Sequence, residues 1–202
     1  MRRISRREML QHLGASLTAA TVLPLALPVR TRAQAAIAES FISFTAAEAQ
    51  TVKAIVARII PSDENGPGAL EARADRFIDR ALAGALRASR PTYATGLAAV
   101  NAAARTSKGK DFAQLSAADQ DAVLTSVQQT SGQFFNLIRT HTIQGTFSDP
   151  FYGGNANFIG WDLIGYPGAR TSVTADLQRL DKKPEPSRKS AYDYGMFSKG
   201  EA

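Results

Sequence analysis

Between residues 45 and 145 apolar side chains recur every three to four positions, the spacing of one buried helix face rather than the alternation of a strand. Ala49, Val52, Ile55, Val56 and Ile59 form the first stripe. Thr45 and Glu48 stand ahead of it as a capping box, the hydroxyl accepting a free backbone N–H and the Glu reaching back to the Thr N–H. Pro61 stops the run, and PSDENGPG (61–68) reads as a turn-rich loop. A second helix is predicted from about Leu70 to Ala88, with Leu70, Ala74, Phe77, Ile78, Ala81, Leu82 and Ala85 on its apolar face. Arg73, Arg76, Asp79, Arg80 and Arg87 lie largely off that face. Pro91 suits the first turn of a third helix carrying Tyr93, Leu97 and Val100, which breaks at Thr106–Gly109. Ser116 and Asp119 mark a fourth start before Val123, Leu124 and Val127. After Gly132, a fifth helix carries Phe134, Phe135, Leu137, Ile138 and His141 and ends near Gly145.

From Thr146 the texture changes. FSDPFYGGNANFIGWDLIGYPGAR is dense in glycine, proline and aromatics, with helix signal only for a turn or two around Asn155–Ile164. No internal repeat is visible and few runs alternate with period two, so the expected fold is all-α: a bundle of about five helices with an irregular Gly/aromatic-rich C-terminal segment. The helical domain is placed at 36–180. Residues 181–202 are polar and unpatterned apart from Tyr192, Tyr194 and Phe197, and read as an extended tail, an arm expected to order on binding.

The first 35 residues read differently. Four arginines lie within residues 1–12, LGASLTAATVLPLAL (13–27) is uncharged and mildly apolar, and Ala33-Gln34-Ala35 offers a small-x-small cleavage site. The apolar run is shorter than the ~20 residues needed to span a bilayer. Ser5-Arg6-Arg7-Glu8-Met9-Leu10 resembles the twin-arginine export consensus, with Arg6 and Arg7 as the paired arginines. That route carries cargo already folded, and it makes the expected location periplasmic.

The leader also changes the charge picture. It holds six of the 24 basic residues and one of the 18 acidic ones, so the net charge of +6 shrinks to 18 bases against 17 acids in the remainder. The late basics Lys182, Lys183, Arg188 and Lys189 form a short cluster without interleaved aromatic stacking groups, which gives little footing for nucleic-acid binding.

With no cysteine, the chain can form no disulfide, thiolate metal site, cysteine nucleophile or covalent haem attachment. Of two histidines, His12 lies in the leader, leaving His141 alone on an apolar helix side, where a hydrogen-bonded core or interface residue is the expected role. Asp63-Glu64-Asn65-Gly66 lacks the alternating carboxylates and closing Glu of a calcium loop and reads as a turn. Gly153-Gly154-Asn155 follows no dinucleotide or phosphate-loop pattern, and G-x-S-x-G is missing. Paired carboxylates such as Asp119 with Asp121 have the spacing of solvated helix faces. What stands out is six aromatics within 20 residues: Phe147, Phe151, Tyr152, Phe158, Trp161 and Tyr166. Such a segment can close the bundle's own core or present a partner surface, and both readings stay open.

Asp149-Pro150-Phe151-Tyr152-Gly153-Gly154-Asn155, then Gly160-Trp161, then Ile164-Gly165-Tyr166-Pro167-Gly168-Ala169-Arg170, closely resembles the C-terminal signature of the gluconate 2-dehydrogenase subunit 3 family. Arg58-Ile59-Ile60-Pro61 through Glu71, Phe77-Ile78-Asp79, Phe112-Ala113 with Leu115-Ser116, and Phe134-Phe135 with Thr142 resemble its earlier stretches, so the likeness runs through most of residues 44–170. The resemblance implies a non-catalytic small subunit with no cofactor of its own. It binds, stabilises and co-exports a larger glucose–methanol–choline type flavoprotein that holds FAD and oxidises a sugar, glycoside or sugar acid. A cytochrome subunit with haem c takes the electrons in many such complexes. On that reading the segment 146–170 is expected to dock on the large subunit, through Asp149, Phe151, Tyr152, Gly153, Gly154, Asn155, Trp161, Tyr166, Pro167 and Gly168. The short join at Arg87–Pro91 departs from the longer insertion of gluconate dehydrogenase small subunits, which leaves the substrate open. The alternative from a different class is a self-contained periplasmic ligand-binding or metal-dependent domain centred on His141.

Overall fold

The computed structural model describes residues 40–195. The leader with Arg6 and Arg7, and Phe197 at the end of the tail, lie outside the described residues. Among those described there are six α-helices and no strand: α1 (Ala46–Ile59), α2 (Ala74–Ala83), α3 (Arg90–Lys108), α4 (Ala117–Thr130), α5 (Gly132–Phe147) and the short α6 (Ile159–Leu163). The all-α bundle read from the spacing is therefore the fold, with five longer helices followed by an irregular segment.

Local chemistry sets most boundaries as expected. The capping box at α1 forms in both directions, with Thr45 Oγ1 accepting from the Glu48 N–H at 3.3 Å and Glu48 Oε2 accepting from the Thr45 N–H at 2.9 Å. Ser116 caps α4 through the Asp119 N–H at 3.2 Å. Gly109 closes α3 in the left-handed region at φ 71°, open to glycine because it has no Cβ.

The second helix is shorter than the stripe of apolar residues implied. Residues 70–73 form a separate turn, because Arg73 sits in the left-handed region at φ 60° and helical continuity begins only with Ala74. At the far end Gly84 takes φ −128° and ψ −107°, which ends the helix before Ala85. A 3-10 turn at Arg87–Ser89 then leads into α3.

The core gathers Val52, Ile55 and Val56 of α1, Ile78 of α2, Tyr93, Leu97 and Val100 of α3, Val127 of α4 and Ile138 of α5, with Phe112 from the α3–α4 connection. At roughly 1.5–3 kcal/mol for each large apolar side chain taken out of water, this stripe-to-stripe packing is the dominant favourable term. Helix α2 lies along α5. Two carboxylates on α2 are buried with the apolar stripe, contrary to the outward placement expected for Asp79. The Asp79 carboxylate accepts the backbone N–H groups of Ile42 and Ser43 at 2.7 Å each and of Phe44 at 3.0 Å, fastening the entry segment to the bundle.

Candidate functional site

The segment after α5 folds back over the end of that helix. Asp149 caps a 3-10 turn over Pro150–Tyr152 by accepting the Phe151 N–H at 2.9 Å, and Gly153 ends the turn at φ 92°. The chain then presses against α5 so closely that a Cβ on Gly154 would fall on the Gly145 carbonyl oxygen, and one on Gly160 on the Thr146 carbonyl oxygen.

Asn155 holds this crossing. It is fully buried in the left-handed region at φ 44°. Its backbone N–H donates to the Gly145 carbonyl, its Nδ2 donates to the Ser148 carbonyl and its Oδ1 accepts the Gly160 N–H, all at 2.8 Å. Asn157 and Phe158 follow at φ 55° and 63°, an uncommon run outside glycine that these bonds sustain. Ala156 adds a bond to the Ala72 carbonyl at 3.1 Å, tying the segment to the turn before α2. Trp161 closes the far side: it is 5% exposed, its indole N–H donates to the Phe147 carbonyl at 2.9 Å, and its ring meets Tyr166 edge-on at 5.0 Å.

The ten residues expected to dock thus divide into three groups. Gly154, Asn155, Trp161 and Gly168 are buried and build the segment, whereas Phe151 and Tyr152 stand 54% and 49% exposed and Tyr166 is also exposed. Gly153 and Pro167 are half-buried, as is Asp149. Phe151 and Tyr152 meet edge-on at 5.5 Å.

Part of this surface comes from the tail, a contribution the sequence pattern did not signal. Asp149 accepts the Ser190 hydroxyl at 2.6 Å and the Ala191 N–H at 2.8 Å. Tyr192 then stacks on Phe151 with ring centroids 3.7 Å apart, and the Tyr152 and Tyr192 hydroxyls pair at 3.1 Å. That hydroxyl contact raises the Tyr152 phenol above its ordinary value. The only readable hint was the spacing of Tyr192 and Tyr194 in an otherwise polar stretch.

His141 occupies a different place. It is buried, its Nδ1 lies 3.0 Å from the Tyr93 hydroxyl, and the two rings are nearly parallel at 5.8 Å. Burial lowers the imidazole from its ordinary value and raises the Tyr93 phenol. These are the contacts of a satisfied core histidine. Among the described residues no group of three or more His, Asp or Glu side chains converges in a way that could hold a metal ion. Elsewhere, a shallow groove of about 450 Å³ runs between α3 and the start of α5 past Thr95, Gly96 and Phe134. A second of about 440 Å³ passes the Arg58–Asp121 ion pair and Arg139.

The sequence model of the gluconate 2-dehydrogenase subunit 3 family matches residues 46–168. The chain belongs to that family. The match runs from the first residue of α1 to Gly168 and so takes in all six α-helices among the described residues of this subunit 3 protein and the irregular segment, while the tail beyond lies outside it. Membership makes the chain a small subunit of a dehydrogenase complex. No curated protein and no solved structure matches the chain. No helix among the described residues is long and apolar enough to cross a membrane.

Proposed function

We propose that this subunit 3 protein is the accessory small subunit of an FAD-dependent, glucose–methanol–choline type dehydrogenase acting on a sugar, glycoside or sugar acid. It stabilises the flavoprotein and carries it into the periplasm through the twin-arginine pathway. Electrons leave through the flavoprotein, to a cytochrome c subunit where one is present. The observation that carries the reading is the family match, which spans the bundle and the folded-back segment together. Two features support it. The leader pairs Arg6 and Arg7 ahead of a mildly apolar run, the signal of a route for folded cargo. The segment's buried half is rigidly built, while its outer half presents Phe151, Tyr152 and Tyr166, a composition suited to protein interfaces.

Replacing Arg6 and Arg7 together by Lys tests the export arm, with both polypeptides followed by cell fractionation. Both are expected to stay in the cytoplasm. Export of the small subunit despite the change would refute the twin-arginine route. Export of the large subunit while the small one is retained would refute co-export.

A further inference from the structure

We infer that the C-terminal arm, residues 185–194, is a built part of the docking surface for the large dehydrogenase subunit, with Tyr192 completing a three-ring patch on Phe151 and Tyr152. The inference rests on the accessory-subunit reading and deepens it by naming where the partner sits.

The arm is fastened along its length to the irregular segment. The Arg170 guanidinium donates to the Glu185 carbonyl, and the Ser187 N–H donates to the Pro167 carbonyl at 2.8 Å. Arg188 bridges to Asp162 at 2.8 Å and donates to the Asn157 carbonyl at 3.1 Å. Ser190 is buried, with its hydroxyl on Asp149, and the Tyr194 hydroxyl donates to the Ala169 carbonyl at 2.8 Å. Fastenings this closely spaced describe a fixed strap rather than a cover that lifts away.

The strap leaves its own end product exposed. With Tyr192 stacked on Phe151, the three rings are still 38%, 54% and 49% exposed. Phe151 and Tyr152 find no burial in the bundle; their ring contacts are with each other and with Tyr192. A contiguous aromatic patch with two tyrosine hydroxyls at its edge has the make-up of an interface centre, large in area and low in the entropy lost on binding. Two of the three rings, Phe151 and Tyr152, lie within the stretch shared with the family, and Tyr192 lies beyond it. That continuity joins the arm to the surface expected to face the large subunit, the partner that family membership supplies. An apolar face of that subunit is the complement.

The test uses the full chain co-produced with its large subunit, comparing wild type, Tyr192→Ala, Tyr192→Phe and a chain ending at residue 184. The amount of large subunit retained and the dissociation constant are the readouts. Tyr192→Ala and the truncation are expected to weaken binding about tenfold or more, the effect of losing an interface anchor, while Tyr192→Phe keeps the stack and stays within about threefold. Because Tyr192 is partly exposed, far-ultraviolet circular dichroism of the variants should match wild type. Binding unchanged in Tyr192→Ala and in the truncated chain would overturn the inference. So would tighter binding after truncation, which would make the arm a cover over the site. A Tyr192-dependent dimer of the chain alone, seen by sedimentation, would assign the patch to a second copy and overturn it as well. If wild type retained no large subunit, the accessory-subunit reading itself would fall, and the inference with it.

Discussion

At the residue scale, three side chains separate folding from surface effects. Trp161 is the chain's one tryptophan and is buried in the folded-back segment. Trp161→Ala should cost roughly 3–5 kcal/mol in denaturant unfolding, so a loss of partner binding in that variant would report on folding. Tyr152 is the cleaner probe: Tyr152→Ala should leave stability within about 0.5 kcal/mol and weaken the complex, as parallel urea titrations and pull-downs would show. Asp79 is the third. Asp79→Ala would strand the three backbone N–H groups of Ile42, Ser43 and Phe44, at an expected cost of about 2–4 kcal/mol measured by urea unfolding. The apolar spacing of α2 put Asp79 beside the solvent face because period alone does not reveal that a carboxylate has backbone donors waiting for it.

His141 carries a pH prediction at the same scale. Burial holds its imidazole below the ordinary value, so the unfolded chain binds that proton more readily than the folded one. The associated stability is full above the unfolded value of about 6.5 and is lost as pH falls through the folded value. The melting temperature should therefore drop with acidification below about pH 6.5, and His141→Phe should flatten that limb. Buried Asp75, raised by desolvation, acts in the opposite sense, since its stabilising protonated form is lost as pH rises. Only a difference between wild type and the His141 variant isolates the histidine.

At the scale of elements, the helices were legible because each rule is local. A capping box, a serine cap, an early proline and a closing glycine each act within one turn, and α1, α3 and α4 follow them, whereas α5 is marked by its apolar spacing alone. The second helix was misjudged at both ends, where a left-handed Arg73 and the open conformation of Gly84 override an apolar stripe that continues past them. The segment from Asp149 to Gly168 was legible as a unit but not in its internal division. Nothing in DPFYGGN says that Asn155 turns inward and Phe151 outward; that follows from where α5 ends and how near its carbonyls lie. The glycines now have a specific role. Gly154→Ala and Gly160→Ala should each force the segment off α5, costing about 1–3 kcal/mol by denaturant unfolding and shifting Trp161 emission to the red as the indole meets water. The polar pattern of the tail reads as an arm that orders on binding, and its fastenings within the chain arise from Asp149, Asp162 and backbone carbonyls remote in sequence.

At the scale of the whole molecule, the described residues form a helical bundle followed by a folded-back platform and strap. Its visible chemistry is packing and capping, with its one described histidine satisfied in the core by Tyr93. Membership in the subunit 3 family places it in a dehydrogenase complex. The most direct measurement is to tag the chain at its C-terminus, purify it from its native cell and record the visible spectrum and polypeptide content of what comes with it. The account predicts a flavin spectrum and a larger second polypeptide in fixed proportion to this one. A colourless chain purifying alone would contradict it.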